Sequence, residues 1–368
     1  MTKDKETIKR ITIFLVMVFV ITYIYEFAVL YPQWKQIKSI GALNTAVVML
    51  FPALCALITR LASGEGFSGS MIDPHFKKGK IRYYVGAWFF PPLFAILGTI
   101  IYFLIFRSEF SANLDYYIGI LNKQGTEVNV SVIRTAVIGS VFSGLIFAPI
   151  LNVVTCFGEE WGWRGYLLPK MIKIFGTMPA VFITGVIWGL WHLPLTMMGH
   201  NYGVGYPGFP VTGIITMCIF CVIIGISFAY ITIRTGSVWP AVIAHGSLNG
   251  FASIGIYFTK DGGNPFVGPS VTGIIGGIPF IAMAGFALVR LLKDTGEAKE
   301  IMTKASERPK VTKTVIREAQ MPVPENAAIP EGANTIFSEG ADTPVSENEN
   351  TAPEGADTAT SEEGDGTA

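Results

Sequence analysis

Long uncharged stretches, separated by short polar segments, dominate the pattern along the chain. Residues 83–106, 135–158 and 262–289 contain no Asp, Glu, Lys or Arg, and 174–233 is uncharged throughout. A bilayer core about 30 Å thick needs about 20 helical residues to cross it, because no backbone polar group can stay unpaired in lipid. The pattern therefore predicts an all-α membrane protein. Eight transmembrane helices are expected, at residues 11–32, 40–60, 83–106, 135–156, 178–197, 211–233, 237–259 and 270–292.

The composition supports this class and shows where the charge lies. Charged residues make up 15% of the chain, against about 25% in ordinary soluble domains. The four cysteines lie in apolar surroundings, which argues against a disulfide-rich secreted domain. All 27 basic residues fall within 1–317, whereas the last 51 residues carry 12 acidic ones. The segment 295–368, rich in Glu, Ala, Pro, Thr, Ser and Gly, is expected to be a disordered acidic tail.

The distribution of basic residues predicts the orientation of the chain. In an eight-span topology, 21 of the 27 basic residues fall on the side that holds the N-terminus. Cytoplasmic loops carry an excess of Lys and Arg. We therefore expect a multi-pass integral membrane protein with both termini in the cytoplasm, in the cell membrane if the source is bacterial. Its expected surroundings are the lipid bilayer, with no nucleic acid.

Few ionisable side chains lie within or beside the predicted spans, and burying one in a bilayer is costly enough to make each a functional candidate. The densest group is Phe-Gly-Glu-Glu-Trp-Gly-Trp-Arg-Gly at 157–165. Glu160 and Arg164 stand four residues apart, in the order that favours an ion pair on a helix. Glu159 points about 100° away. We expect arginine to neutralise one carboxylate while its neighbour faces something else.

Two later spans supply histidines that could complete a hydrolytic site. His245 and Asn249 share one helical face because they are four residues apart. Glu159 with His192 could hold and deprotonate a water molecule. His245 and Asn249 could then donate hydrogen bonds to a developing oxyanion. Taken singly, these residues also fit solvated interface charges, a hydrogen-bonded core histidine and a bridge between helices.

Zinc and cysteine chemistry are alternatives at the same site. Glu159, His192 and His245 could serve as zinc ligands, although the His-Glu-x-x-His pattern is absent and Asn249 suits oxyanion donation better. Cys156 could act as a nucleophile with His192 as its base. A buried structural role is the commoner one for such a cysteine.

The ordered trio Glu159-Glu160-x-x-x-Arg164, His192 and His245-x-x-x-Asn249 resembles the CAAX protease and bacteriocin-processing family. This family includes the type II CAAX prenyl endopeptidases and the bacterial Abi and lysostaphin-resistance proteins. The resemblance covers roughly residues 130–260. It divides the chain into N-terminal helices and loops at 1–130, a catalytic core at 131–260, a last helix at 261–294 and the tail at 295–368.

The resemblance implies intramembrane endoproteolysis of a membrane-associated peptide or protein. By this resemblance Glu159 and His192 activate the water, while His245 and Asn249 form the oxyanion hole. The family is described both as metalloproteases and as glutamate proteases, so the mechanism stays open. Two rivals to proteolysis also stay open: a proton-coupled transporter that uses the buried Glu and His residues as a relay, and an inactive scaffold or immunity protein of the same fold.

Three further residues follow from the resemblance. Glu160 and Arg164 are expected to support the site, in agreement with their ion-pair spacing. The family usually has Phe four residues before the second-motif histidine, where this chain has Trp188. We expect this change to alter packing and substrate fit rather than to abolish the chemistry.

The depth of the candidate residues in the bilayer imposes a constraint on the fourth helix. If that helix starts near Arg134, Glu159 lies 25 residues further on, or about 37 Å at 1.5 Å per residue. His192 lies 14 residues into helix five from the opposite side, or about 21 Å deep. Straight spans would keep these residues apart. We therefore expect a break at Pro149, a strong tilt, or a fourth helix that begins above the bilayer.

Overall fold

The computed structural model describes residues 3–37, 41–76, 79–125 and 129–293, together with Gly296 and Glu300. Most of these residues are helical, and the β pairings among the described residues are isolated bridges. The α-helices are α1 Lys3–Tyr25, α2 Tyr31–Ile37, α3 Ala42–Ala62, α4 Ile81–Ile105, α5 Asp115–Lys123, α6 Val130–Leu151, α7 Val153–Glu160, α8 Leu168–Phe175, α9 Thr177–Trp191, α10 Leu193–Met197, α11 Val211–Thr235, α12 Trp239–Phe251 and α13 Ile278–Lys293. Two π-helical segments, Glu26–Leu30 and Trp161–Leu167, continue α1 and α7.

Within the described ranges, six helical stretches are long and apolar enough to cross a membrane. Their bounds are Asp4–Ile37, Leu43–Ala62, Ile81–Ile105, Val130–Leu151, Val211–Thr235 and Trp239–Phe258. Each coincides with a predicted span. The all-α membrane class is therefore confirmed, and the protein is an integral membrane protein.

The predicted count of eight spans is not confirmed, because the fifth and eighth predicted helices are short. The fifth is divided: α9 has 15 residues, His192 forms the turn, and α10 starts with Pro194 in its first turn. Proline lacks the backbone N–H that an uninterrupted helix would need there. The eighth, α13, has 16 residues and begins at Ile278. The residues just before it, 268–277, form turns in which glycine recurs, at positions 268, 273, 276 and 277.

The fourth predicted helix is broken, which is one of the three departures from a straight span that the depth constraint allowed. Helix α6 ends at Leu151, Asn152 forms a turn, and α7 begins at Val153. Pro149 lies in the last turn of α6 and Gly246 of α12 packs against it. Beyond the break, α7 packs against α3 and α12.

Glycines allow the helices that carry the candidate residues to approach closely. A Cβ atom on Gly189 of α9 would lie 2.4 Å from Cys218 Cα of α11, and one on Gly158 of α7 would lie 2.5 Å from the Met49 carbonyl oxygen of α3. Helices in lipid gain little from burying apolar side chains, so close backbone contact is what holds them together. These approaches fix α7 and α9 within one bundle.

A buried ion group joins α1, the loop after α3, and α8. Glu65 Oε1 lies 3.1 Å from Arg10 Nη1 and 3.1 Å from Lys170 Nζ. We call Arg10, Glu65 and Lys170 the Glu65 group. Helix α8 lies outside the membrane-length helices, and burial there lowers the pKa of Lys170 to about 8, against the opposing effect of Glu65. One carboxylate between two cations ties three separate segments together.

The predicted acidic tail at 295–368 lies outside the described residues, apart from Gly296 and Glu300. The cytoplasmic location of both termini and the division of the chain at 130, 260 and 294 stay predictions.

Candidate active site

Glu159 lies in α7 with 2% of its surface exposed. Its Oε2 accepts a hydrogen bond of 2.7 Å from the indole Nε1–H of Trp188 on α9. Oε1 makes no hydrogen bond within the part of the chain that the structure describes. The carboxylate is therefore held by one oxygen and keeps the other for a ligand.

His192 occupies the turn between α9 and α10. Its Nδ1 lies 2.9 Å from the Trp188 carbonyl oxygen, which can only accept, so Nδ1 carries the proton of that bond. In the neutral ring Nε2 then bears a lone pair. The bond is to the carbonyl one helical turn earlier, so the end of α9 fixes both the position and the tautomer of this imidazole.

Glu160, Arg164 and His245 form a buried group, joined by hydrogen bonds to Glu160, beside Glu159. Glu160 Oε1 accepts hydrogen bonds from Arg164 Nη1 at 3.0 Å and from His245 Nδ1 at 2.8 Å. The Glu160 and Arg164 side chains are 0% and 1% exposed. The ion pair that the four-residue spacing predicts is therefore formed. We call Glu159, Glu160, Arg164 and His245 the Glu159 group.

Trp188 contacts most of this group. The Arg164 guanidinium carbon lies 4.2 Å from the Trp188 ring centre, and the ring centres of His192 and His245 lie 5.8 Å and 5.6 Å from it. An indole packed among charged groups needs a partner for its N–H, and here that partner is Glu159. The sequence comparison identified this position but not its hydrogen bond.

A cavity of about 250 Å³ brings the four predicted catalytic residues together. Glu159, His192 and His245 are nearly buried in its wall, whereas Asn249 is exposed. Asn249 Nδ2 also lies 3.7 Å from Cys156 Sγ. The lining includes polar side chains that sequence reasoning did not assign to the site: Thr45, His200, Asn201, Ser253 and Thr272.

His200 is the most notable of these additions. Its ring lies parallel to that of His192, with 6.0 Å between the ring centres and an interplanar angle of 6°. It belongs to the Gly- and Pro-rich segment after α10, where no helical periodicity relates it to His192. Its position as one of only four histidines, at the border of a span, was the available signal.

The zinc alternative does not fit the observed geometry. Among the residues with described positions, no three or more His, Cys, Asp and Glu side chains come together closely enough to hold a metal ion. Glu159 and His245 each engage one polar atom, Oε2 with Trp188 and Nδ1 with Glu160, and keep the other. Glu159, His192 and His245 share a cavity but do not form a ligand set.

The cysteine alternative also lacks the contact it needs. Cys156 packs in an apolar cluster with Met49, Val238 and Val242. The sulfur near His192 is that of Cys221, 3.9 Å from Nδ1. Cys156 therefore behaves as a small buried side chain, next to Asn249 rather than next to a base.

These features define a class: a helical membrane protein with buried carboxylates, imidazoles and a carboxamide around one internal cavity. A family model for type II CAAX prenyl endopeptidase Rce1-like proteins matches residues 140–251, a range that contains Glu159, His192, His245 and Asn249. The chain is also 33% identical over 58 residues to CAAX prenyl protease 2 of Methanococcus maripaludis, which is 15% of this chain and 21% of that protein. The resemblance to the CAAX protease family is confirmed. The match spans about a fifth of the relative's length.

Proposed function

We propose that this protein is a membrane endopeptidase that hydrolyses a peptide bond in a membrane-associated peptide or protein. The observation that carries the proposal is the shared cavity of Glu159, His192, His245 and Asn249. Among the described residues, no cation pairs with the Glu159 carboxylate, and one of its oxygens makes no hydrogen bond. Such an oxygen, beside a histidine with a free ring nitrogen, suits the binding and deprotonation of water.

The first step forms a bond between water and the substrate carbonyl carbon. The water is held between Glu159 Oε1 and His192 Nε2, and Glu159 takes one of its protons as the oxygen attacks. The C=O π electrons move to the carbonyl oxygen, which becomes an oxyanion. General-base assistance of this kind contributes about 10²–10⁴-fold to the rate.

Asn249 and His245 stabilise the oxyanion. The carboxamide N–H of Asn249 is a neutral donor for this purpose. His245 donates its Nδ1–H to Glu160 Oε1 in a hydrogen bond, and it donates to the oxyanion from Nε2 when both ring nitrogens carry a proton. Arg164 holds Glu160 in place through the 3.0 Å ion pair.

The tetrahedral intermediate then collapses. The carbonyl re-forms, the C–N bond breaks, and the departing amine takes the proton that Glu159 accepted. The products are a peptide carboxylic acid and a peptide amine, with one water consumed, and the acid then passes its proton to the amine to give a carboxylate and an ammonium group. The carboxylate of Glu159 is restored.

The first substrate class to test is a peptide with a prenylated CAAX terminus, since the Methanococcus relative carries the name CAAX prenyl protease 2. Purified protein in lipid vesicles should cleave the peptide in H₂¹⁸O with one ¹⁸O atom in the new carboxylate, as mass spectrometry can measure. Glu159→Gln, which keeps the shape of the side chain and removes the base, should leave the peptide intact.

A transporter or an inactive scaffold predicts different results. If a panel of prenylated and unprenylated membrane peptides stays uncleaved, and membrane-protein fragments in cells are the same for wild type and Glu159→Gln, the proposal is wrong. Solute movement that depends on Glu159 but not on Asn249 would favour a proton relay instead.

A further inference from the structure

A groove runs along the outside of the bundle between α4, α11 and α13. It has a volume of about 390 Å³ and is lined mainly by aromatic and aliphatic side chains. Phe90 and Phe286 in its walls are 48% and 50% exposed, whereas Phe228 and Ala244 deeper in the bundle are buried. We call this feature the α4/α13 groove. An apolar channel of this size lies within the roughly 300–1,000 Å³ range of small-molecule sites.

One end of the groove carries arginine and tyrosine. Arg82 lies at the start of α4 and Arg290 in the last turn of α13, and both line the groove. Tyr83 and Tyr230 pack against each other nearby, with ring centres 6.2 Å apart. Tyrosine and arginine at the ends of apolar helices are typical of a membrane–water interface. The groove therefore extends from this interface into the apolar layer.

The two groove arginines have no acidic partner among the residues that the structure describes. Arg82 donates to the Tyr83 hydroxyl at 3.3 Å and lies 5.1 Å from that ring. Arg290 lies over the Phe286 ring at 5.4 Å. This contrasts with Arg10 and Arg164, which are each paired with a carboxylate. The mouth of the groove is thus positively charged while its walls are apolar.

We propose that the α4/α13 groove binds an anionic membrane phospholipid, with the phosphate at Arg82 and Arg290 and one acyl chain along the aromatic walls. Arginine is the side chain best suited to bind phosphate by parallel hydrogen bonds. Basic pockets between membrane helices bind anionic headgroups. The apolar walls favour a lipid over free phosphate, and the two arginines favour an anionic lipid over a zwitterionic one.

The test is lipid binding to the full-length protein in detergent, followed by native mass spectrometry. Phosphatidylglycerol, phosphatidylcholine of the same chains, and inorganic phosphate are the three probes. Phosphatidylglycerol should bind about 10-fold more tightly than phosphatidylcholine, an expected gain from two charge-assisted contacts. Inorganic phosphate should not compete at the same concentration.

Two sets of variants test the two parts of the groove. Arg82→Gln with Arg290→Gln should remove the preference for phosphatidylglycerol. The matched pair Arg107→Gln and Arg134→Gln, at exposed arginines away from the groove, should keep it. Ser227→Leu, which narrows the groove, should weaken long-chain phosphatidylglycerol and leave a short-chain form bound.

Three outcomes would overturn the proposal: equal binding of the two lipids, an unchanged preference in the Arg82 and Arg290 double variant, or an equal loss in the control pair. Inorganic phosphate that displaces the lipid would assign the site to a free anion instead. If the Arg82 and Arg290 double variant loses both binding and thermal stability, Ser227→Leu tests the groove independently, because it keeps both arginines.

Discussion

The Glu65 group and the Glu159 group both bury glutamates beside basic side chains, but the partners of the glutamates differ. In the Glu65 group one carboxylate oxygen lies 3.1 Å from each of two cations. In the Glu159 group two carboxylates stand beside one arginine, and Arg164 pairs with Glu160. Glu159 has an indole N–H in place of a cation.

The difference separates a structural use of buried charge from a chemical one. A carboxylate between two cations is neutralised and fixed in position, so its effect is to join segments of the chain. A buried carboxylate with one neutral donor is costly to keep, yet it retains an oxygen for water and proton transfer. The partner of the carboxylate, two cations for Glu65 and an indole N–H for Glu159, distinguishes the two groups.

The largest expected effect tests the difference between the groups directly, by replacing glutamate with glutamine in each. Glu159→Gln should lower peptide cleavage by about 10²–10⁴-fold, the contribution of a general base, with little change in melting temperature. Glu65→Gln should leave Lys170 without its carboxylate and Arg10 with Glu6 alone, and should reduce the free energy of unfolding by about 3 kcal/mol. Cleavage assays and thermal melting in one detergent measure both.

The specific activity of the folded Glu65→Gln protein should equal that of wild type. If Glu65→Gln abolishes cleavage in protein that is still folded, or Glu159→Gln retains it, the two groups do not differ in the way proposed.

A second test concerns Asn249, the residue of the proposed site that has a carboxamide. Asn249→Ala should lower kcat by about 100-fold with KM unchanged, because an oxyanion donor acts mainly in the transition state. Asn201→Ala removes an amide from the same cavity and should change kcat far less. Steady-state kinetics on a prenylated peptide distinguish them, and equal effects of the two substitutions would remove Asn249 from the oxyanion hole.

A third, smaller effect concerns Trp188. Trp188→Phe keeps an aromatic ring and removes the donor to Glu159, so kcat should fall by about 10-fold, the value of one hydrogen bond to a charged group. The comparison variant is Trp191→Phe, at the other tryptophan of the cavity wall, because the Trp191 indole donates to Thr22 Oγ1 at 2.9 Å and not to Glu159. If Trp188 positions the carboxylate, KM and melting temperature stay near wild type. A fall in melting temperature with unchanged kcat would assign it to packing alone.

The smallest effect is a pH dependence in the Glu65 group. The Lys170 pKa is about 8 in the folded protein and 10.5 without perturbation. Between these values the unfolded chain binds more protons, so this residue's contribution to the free energy of unfolding rises with pH. The difference in melting temperature between wild type and Lys170→Met should shift in favour of wild type from pH 7 to pH 10. A flat or opposite trend would contradict the burial of a charged Lys170.

The sequence could predict the membrane class because charge-free length is a direct requirement of the bilayer. It could also predict that the fourth helix is not a straight span, since the depths of Glu159 and His192 were incompatible with straight helices; a break was one of three forms expected. The fifth and eighth spans were overestimated because hydropathy does not register the turn at His192 or the packed glycines at 268–277.

In the candidate site, contacts within one helix could be predicted from the sequence, whereas contacts between helices could not. Spacing predicted the Glu160–Arg164 pair because it depends on one helix alone. The bonds from Trp188 to Glu159 and from His245 to Glu160 join different helices, so helical periodicity could not supply them. Loop residues such as His200 were missed for the same reason.

The π-helical segment Trp161–Leu167 changes the direction in which the side chains after it point around the helix axis. Eleven residues at about 100° each would place Lys170 within about 20° of Glu159 around an uninterrupted α-helix. A π-turn accommodates one residue more than an α-turn, which changes that relation by roughly 100°. The extra residue therefore turns the later part of the helix about its axis. As a result, Glu159 faces the cavity and Lys170 faces Glu65. A single-residue deletion within 161–167 would direct Lys170 toward the cavity and unite the two groups of charges.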